Sequence, residues 1–311
     1  QNIAFFGRNN VCGLSLAFFN ATSPGHTPFE LLGKPPARLT APRICLNILN
    51  GGWHAYTNPV LSDFSEIMLV SKTNDPAAII AMHNEIQRVV HERLLEQTKT
   101  VVSGNPVNCF KTRDNRECFD FLLKIVDQLG FSDQLDLMVD ASGGDLFNGQ
   151  KYHLAITDQS SYAPEEFVQY WLDIIRQYRF GFLEDPFHEL DYPSWQRLTT
   201  HPDTCCVIGD NFYSSDANRI QNGALNHYTH AALIKPNQAG SVSAVCRAIE
   251  TAQACKQIPI TSHRSISTES TFISLLTCIY NVPYIKVGPL STDYSSVIRY
   301  NEIIRLTGEM P

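Results

Sequence analysis

From residue 136 onward, short apolar runs alternate with longer stretches whose apolar residues recur at helical spacing. Phe167, Tyr170, Trp171, Ile174, Ile175 and Tyr178 fall at i, i+3, i+4, i+7, i+8 and i+11, one stripe of a helix. The apolar runs at 136–140, 181–185, 205–210, 231–235, 259–263 and 284–287 predict strands. Between and after them, helices are expected near 193–200, 215–223, 242–252, 268–280 and 293–306. Strands that are apolar on both faces, each followed by a helix, predict a parallel sheet. Two further strands fit upstream, at 44–49 and 66–70, with long helices near 76–97 and 115–129. Eight strands close a (β/α)8 barrel of the α/β class, here with a ββαα opening.

Residues 1–40 read differently. A helix is expected over 10–20, followed by a Pro- and Gly-rich connecting segment. The expected division is 1–40 as an amino-terminal remnant with its connector and 41–311 as the barrel.

Composition narrows the function classes. With 311 residues, 43% hydrophobic and 18% charged, the chain can bury a large core. A net charge of −7 argues against nucleic acid as a partner, and no apolar run reaches the length of a membrane span. Nine cysteines lack a disulfide rhythm or a Cys-x-x-Cys pair, which points to buried thiols in a reducing, cytoplasmic setting. The chain begins at Gln1, so targeting signals are not judged, and the sequon at Asn20 is a pattern that chance supplies.

The candidate chemistry sits at the strand ends. Three apolar runs stop on acids, at Asp140, Glu184 and Asp210, and two later runs stop on Lys235 and Lys286. A hard divalent cation such as Mg²⁺ takes carboxylate oxygens and leaves positions for water and substrate. A strand-end lysine near another cation is expected to lose its proton more readily and to serve as a general base. The second lysine would neutralise charge developing on the substrate. The competing reading has the acids capping helices or pairing with arginine, and the lysines in structural ion pairs. Arg264, in Ser262-His263-Arg264-Ser265, offers a fork for a carboxylate or phosphate.

These phrases carry a resemblance. NILNGGWHA (47–55), MVDAS (138–142), FLEDPF (182–187), IGDN (208–211), LIKPNQAGSV (233–242), TSHRS (261–265) with TESTFI (268–273), and IKVGP (285–289) stand in the order and spacing of the enolase family. By that resemblance Asp140, Glu184 and Asp210 look like the magnesium ligands. Lys235 looks like the base that removes the proton beside the substrate carboxylate, and Lys286 like the lysine that contacts that carboxylate. Arg264 and Ser265 look like the phosphate-binding pair, accompanied by His263, while His54 resembles the substrate-side histidine after the paired glycines. Glu66 resembles one of two glutamates on the side of the leaving hydroxyl. The resemblance also implies a cytoplasmic homodimer that converts 2-phosphoglycerate to phosphoenolpyruvate.

Departures accompany it. Enolases carry a loop reading roughly GDEGG, whose Glu helps expel the hydroxyl, and 103–110 here reads SGNPVNCF, without an acid. Asn211 stands where the family has a second Asp, Ile266-Ser267 replace Gly-Glu, and most of the amino-terminal domain has no counterpart. Two functions follow: phosphopyruvate hydratase, or a catalytically impaired paralogue serving as a structural or assembly component. A third class is another metal-dependent enolising enzyme.

Overall fold

The structure, a computed structural model, describes residues 6–35, 37–52, 60–95, 99–102, 105–108, 110–264, 268–288, 290 and 293–308. Eight strands close a barrel: β1 (Arg43–Asn50), β2 (Glu66–Ser71), β3 (Leu135–Asp140), β4 (Phe182–Glu184), β5 (Cys206–Gly209), β6 (Ala231–Ile234), β7 (Ile258–Ser262) and β8 (Tyr284–Lys286). Around the ring, β1 pairs with β8, β8 with β7, and so on down to β2, which closes on β1. The helices at Pro76–Leu95 and Arg116–Gln128 lie between β2 and β3 in sequence and pack together, the ββαα opening that the spacing predicts.

One strand departs from the parallel set. β2 is not parallel to the rest: it runs antiparallel to both β1 and β3. No helix among the described residues between β1 and β2 carries the chain back to the other end of the barrel, so the second strand must return. Burial on both faces of β2 leaves no pattern from which its direction could be read.

The antiparallel strand has a consequence. Its first residue, Glu66, pairs with Asn50 at the end of β1 and with Asp140 at the end of β3. Glu66 therefore reaches the same mouth as the last residues of the parallel strands.

Within each strand the side chains alternate between two cores. Ile67, Leu137, Val139, Leu183, Val207, Ala232, Ile234 and Ile285 face outward against the helices. Cys45, Met68, Met138, Phe182, Ile208, Leu233 and Ile260 fill the barrel interior. Two residues beyond this inner layer, on the same side of each strand, stand Asn47, Glu66, Asp140, Glu184, Asp210, Lys235 and Ser262. The mouth is thus the polar top layer of an apolar plug.

The surrounding helices owe their placement to capping and apolar stripes. In Pro164–Tyr178 a proline opens the first turn, the Glu166 carboxylate accepts the Ala163 N–H at 2.7 Å, and the helix ends at Arg179 with φ of 51°. Its buried Trp171 donates to the Pro186 carbonyl at 3.2 Å, clamping the loop after β4. The helix expected over 268–280 is shorter, Phe272–Ile279. The helix expected over 10–20 runs Arg8–Thr22 and lies on the short helix Pro236–Ala239 after β6. There Ser15 Oγ accepts the Val242 N–H at 3.0 Å. The eight described cysteines are all free thiols.

Candidate active site

The β-register sets the first feature of the mouth. Glu66 pairs with Asp140, and Asp140 pairs with Glu184, so three carboxylates occupy one level on three neighbouring strands. Strands lie about 5 Å apart, where like charges repel by about 3 kcal/mol at an effective dielectric near 20. Asp210 follows the end of β5 and adds a fourth. Asp185, next to Glu184, is also buried and adds a fifth.

Two lysines face these acids. Lys286 Nζ lies 2.8 Å from Glu66 Oε2 and 2.9 Å from Glu184 Oε2. Glu66 is held in turn by Asn47, whose amide donates to Oε1 at 3.0 Å. Burial pulls the Lys286 ammonium down, but Glu184, Glu66 and Asp140 outweigh it and hold it well above the ordinary lysine value. Acids rather than cations surround Lys286, which keeps it an ammonium. Lys235 pairs with Asp210 through a short contact. Its backbone is extended and its successor is a proline, which fixes the chain direction as β6 ends.

The acids divide into two kinds. Burial pushes Glu66 and Asp210 up, yet Lys286 and Lys235 respectively pull them below the usual carboxylate range. Glu184 and Asp140 go the other way. Burial raises both, with Asp140 adding to the rise at Glu184, and Glu66 and Asp210 adding to it at Asp140. Burial and the nearby Asp210 and Asp140 also raise Asp185. Among the described residues Asp140 has no cation within 4 Å.

His263 follows β7, and its N–H donates to the Lys286 carbonyl at 3.0 Å. Burial lowers its imidazole to about 3, so it is neutral near pH 7. Gly288, at φ of 98°, packs so closely that a Cβ there would lie 2.8 Å from His263 Cε1. Arg264 is exposed and, with His263 and Arg299, lines a cavity of about 290 Å³ roofed by Cys12 and Leu16 of the Arg8–Thr22 helix. Buried Arg299 braces this corner, donating to the Val287 and Thr268 carbonyls at 3.2 and 3.3 Å.

The structure thus brings Glu66, Asp140, Glu184, Asp210, Lys235, Lys286 and His263 to one mouth, with Arg264 at its edge. His54 and Ser265 lie outside the described residues. Ser103, Gly104 and Cys109 of the acid-free loop also lie outside them, while Lys99–Val102 and Asn105–Asn108 pair as an antiparallel ribbon.

Sequence reasoning missed four residues. Asn47 holds Glu66. Asp185, in a left-handed turn at φ of 41°, accepts the Asp210 and Asn211 N–H groups at 2.9 and 2.7 Å. Gln238 donates to Asp210 Oδ1 at 3.1 Å, and Ser215 accepts the Lys235 N–H at 2.8 Å. Asp185 had a signal, a second acid at a strand end. Asn47 had one too, two residues beyond Cys45 in β1, whereas Gln238 and Ser215 become visible only once the turns are folded.

Among the described residues no three His, Cys, Asp or Glu side chains stand close enough together to hold a metal ion. The donor set nevertheless suits a hard divalent cation. It is all oxygen, its acids outnumber its two lysines, and two of its carboxyls, Asp140 and Glu184, are pushed up by burial and mutual repulsion.

Comparison with known proteins bears on this site. Residues 38–311 match the family model described as Enolase, C-terminal TIM barrel domain. The chain belongs to the enolase family. It is 31% identical over 311 residues to the protein named Enolase of Ehrlichia ruminantium (strain Welgevonden), covering 98% of this chain and 72% of that protein. It is 28% identical to the Enolase of Legionella pneumophila (strain Corby), over 98% of this chain and 74% of that one. The Enolase of Natranaerobius thermophilus matches at 28%, over 98% and 71% of the respective lengths. The enolase family is one of lyase-type enzymes. No helix among the described residues is long and apolar enough to cross a membrane.

Proposed function

We propose that this enolase-family chain dehydrates 2-phosphoglycerate to phosphoenolpyruvate. The observation that carries the reading is the opposed pair of lysines within one mouth of carboxylates, Lys286 clamped by two acids and Lys235 by one. Asp140, Glu184 and Asp210 are the residues that would hold Mg²⁺, which when bound neutralises the substrate carboxylate and the charge that grows on it. A lysine base working beside Mg²⁺ is an expectation of the enolase superfamily rather than a deduction from the distances at this mouth.

In this proposal Lys235 Nζ takes the proton beside the substrate carboxylate. Lys286, held as an ammonium, faces that carboxylate and stabilises the negative charge left behind. Arg264 and Ser265 bind the phosphate, accompanied by neutral His263, and His54 serves as the substrate-side histidine. Glu66 lies on the side of the departing hydroxyl. The Arg8–Thr22 helix covers the Arg264 edge, and the protein works as a cytoplasmic homodimer.

The test is formation of phosphoenolpyruvate from 2-phosphoglycerate, followed by absorbance with saturating Mg²⁺. Turnover is expected in the parent protein, falling about 10²–10⁴-fold in Lys235→Ala. Absence of turnover in the parent would favour the impaired paralogue with an assembly role.

A further inference from the structure

Lys235 has a long side chain with four rotatable bonds, and its only ion-pair partner among the described residues is one aspartate. A lone pair of that kind is free to swing as a unit. Here it is not lone. The Lys235 backbone N–H donates to Ser215 Oγ at 2.8 Å, and the Ser215 hydroxyl donates to Gln238 Oε1 at 2.7 Å. Gln238 Nε2 donates to Asp210 Oδ1 at 3.1 Å, and Asp210 Oδ2 accepts from Lys235 Nζ. The four residues form a closed ring that begins and ends on Lys235.

The donor count leaves one arrangement. The serine has a single hydrogen and spends it on Gln238, so its lone pair is what meets the lysine N–H. The amide must turn its NH₂ toward Asp210, since its oxygen there would face a carboxylate. The backbone that delivers Ser215 is itself costly. Ser214 and Ser215 are successive non-glycine residues in the left-handed region, at φ of 46° and 56°, and Ser215 is buried. Such turns cost about 1 kcal/mol or more each and persist where the surroundings require them. On their outer side Ser215 and Gln238 line a solvent-open cavity of about 640 Å³, together with Arg8 and Arg247. The ring is the wall between that cavity and the mouth.

We propose that Ser215 and Gln238 are positioning residues, which fix the amine of Lys235 relative to its own backbone by holding the second oxygen of Asp210. This rests on the reading of Lys235 as the base, and its test is arranged to fail separately. Gln238→Met keeps the side-chain length without a hydrogen bond, and Ser215→Ala removes the central hydroxyl. Both are compared with the parent chain in two measurements. The first is kcat and KM for 2-phosphoglycerate with Mg²⁺. The second needs no turnover: the rate at which acetic anhydride acylates Lys235, read by peptide mass spectrometry against the exposed Lys124, Lys151 and Lys256.

The expected result is a kcat loss of about 10–100-fold with KM within about threefold, because a misplaced base costs the transition state. Acylation of Lys235 is expected to rise about fivefold or more, with the reference lysines unchanged. Gln238→Met carries the test if Ser215→Ala does not fold. Acylation of Lys235 within about twofold of the parent overturns the ring, including where kcat falls only in step with a lost Tm. If the parent shows no turnover but the acylation rises, the ring stands and the functional reading fails.

Discussion

The two lysines at the mouth are the same residue at the same level of one barrel, yet they are held in opposite ways. Lys286 is clamped between two carboxylates, one of them fully buried, and is kept charged. Among the described residues Lys235 has a single acid, and that acid is restrained by a neutral amide and, through it, a hydroxyl. A barrel can in this way separate a fixed positive charge from a movable proton. Surrounding an ammonium with acids anchors its charge. Restraining its one partner with neutral groups anchors its position without adding charge.

Lys286→Ala puts this contrast under the most strain. It leaves Glu66 and Glu184 buried without their cation, and loss of one partner from a buried pair costs about 3–5 kcal/mol. Urea unfolding should show that loss. A change under about 1 kcal/mol would mean that the clamp is not formed.

A smaller effect probes the carboxylate side. Asp140 has no cation within 4 Å among the described residues, and burial together with Glu66 and Asp210 raises it. In metal-free buffer near pH 8, Asp140→Asn should therefore raise Tm, by about 2 °C or more. Mg²⁺ should raise the Tm of the parent and not of the variant. An Asp140→Asn protein that is less stable without metal, or equally stabilised by Mg²⁺, would show that this carboxylate is not waiting for a cation.

The smallest effect concerns pH. Burial lowers His263 from 6.5 to about 3. Below pH 6.5 the unfolded chain takes up a proton that the folded chain refuses, so folding loses stability progressively from pH 6.5 down to about pH 3. Glu184, Asp185 and Asp140 act with the opposite sign, since their raised carboxyls bind protons first in the folded state. The parent should thus lose about 1 kcal/mol more than His263→Gln between about pH 7 and about pH 5.5, read from urea midpoints. Equal slopes in the two proteins would place a charged imidazole at this site.

Much of this was legible in the sequence because the barrel turns a period of two into a layer. Met138 and Asp140, Phe182 and Glu184, Ile208 and Asp210, and Leu233 and Lys235 are each two apart, so an apolar plug beneath implies a polar rim above. The direction of β2 was not legible, because a strand buried on both faces reads the same forwards and backwards. Nor was the pairing of acids with lysines, which depends on Lys286 reaching Glu184 across 102 residues of sequence. Ser215, Gln238 and the turn geometry of Asp185 were hidden for another reason. Their roles come from left-handed or tightly wound turns, and serine, glutamine and aspartate in a loop announce no such geometry.

The proposed chemistry of this mouth assigns Lys235 as the base. That role is read most plainly from exchange of the substrate proton beside the carboxylate with solvent deuterium, followed by NMR on 2-phosphoglycerate with Mg²⁺. Exchange reports proton removal whether or not the hydroxyl then leaves, which matters in a chain whose 103–110 segment has no acid. Exchange is expected in the parent protein and should be lost in Lys235→Ala. Exchange that persists in Lys235→Ala, or that never occurs in the metal-saturated parent, would contradict a base at this position.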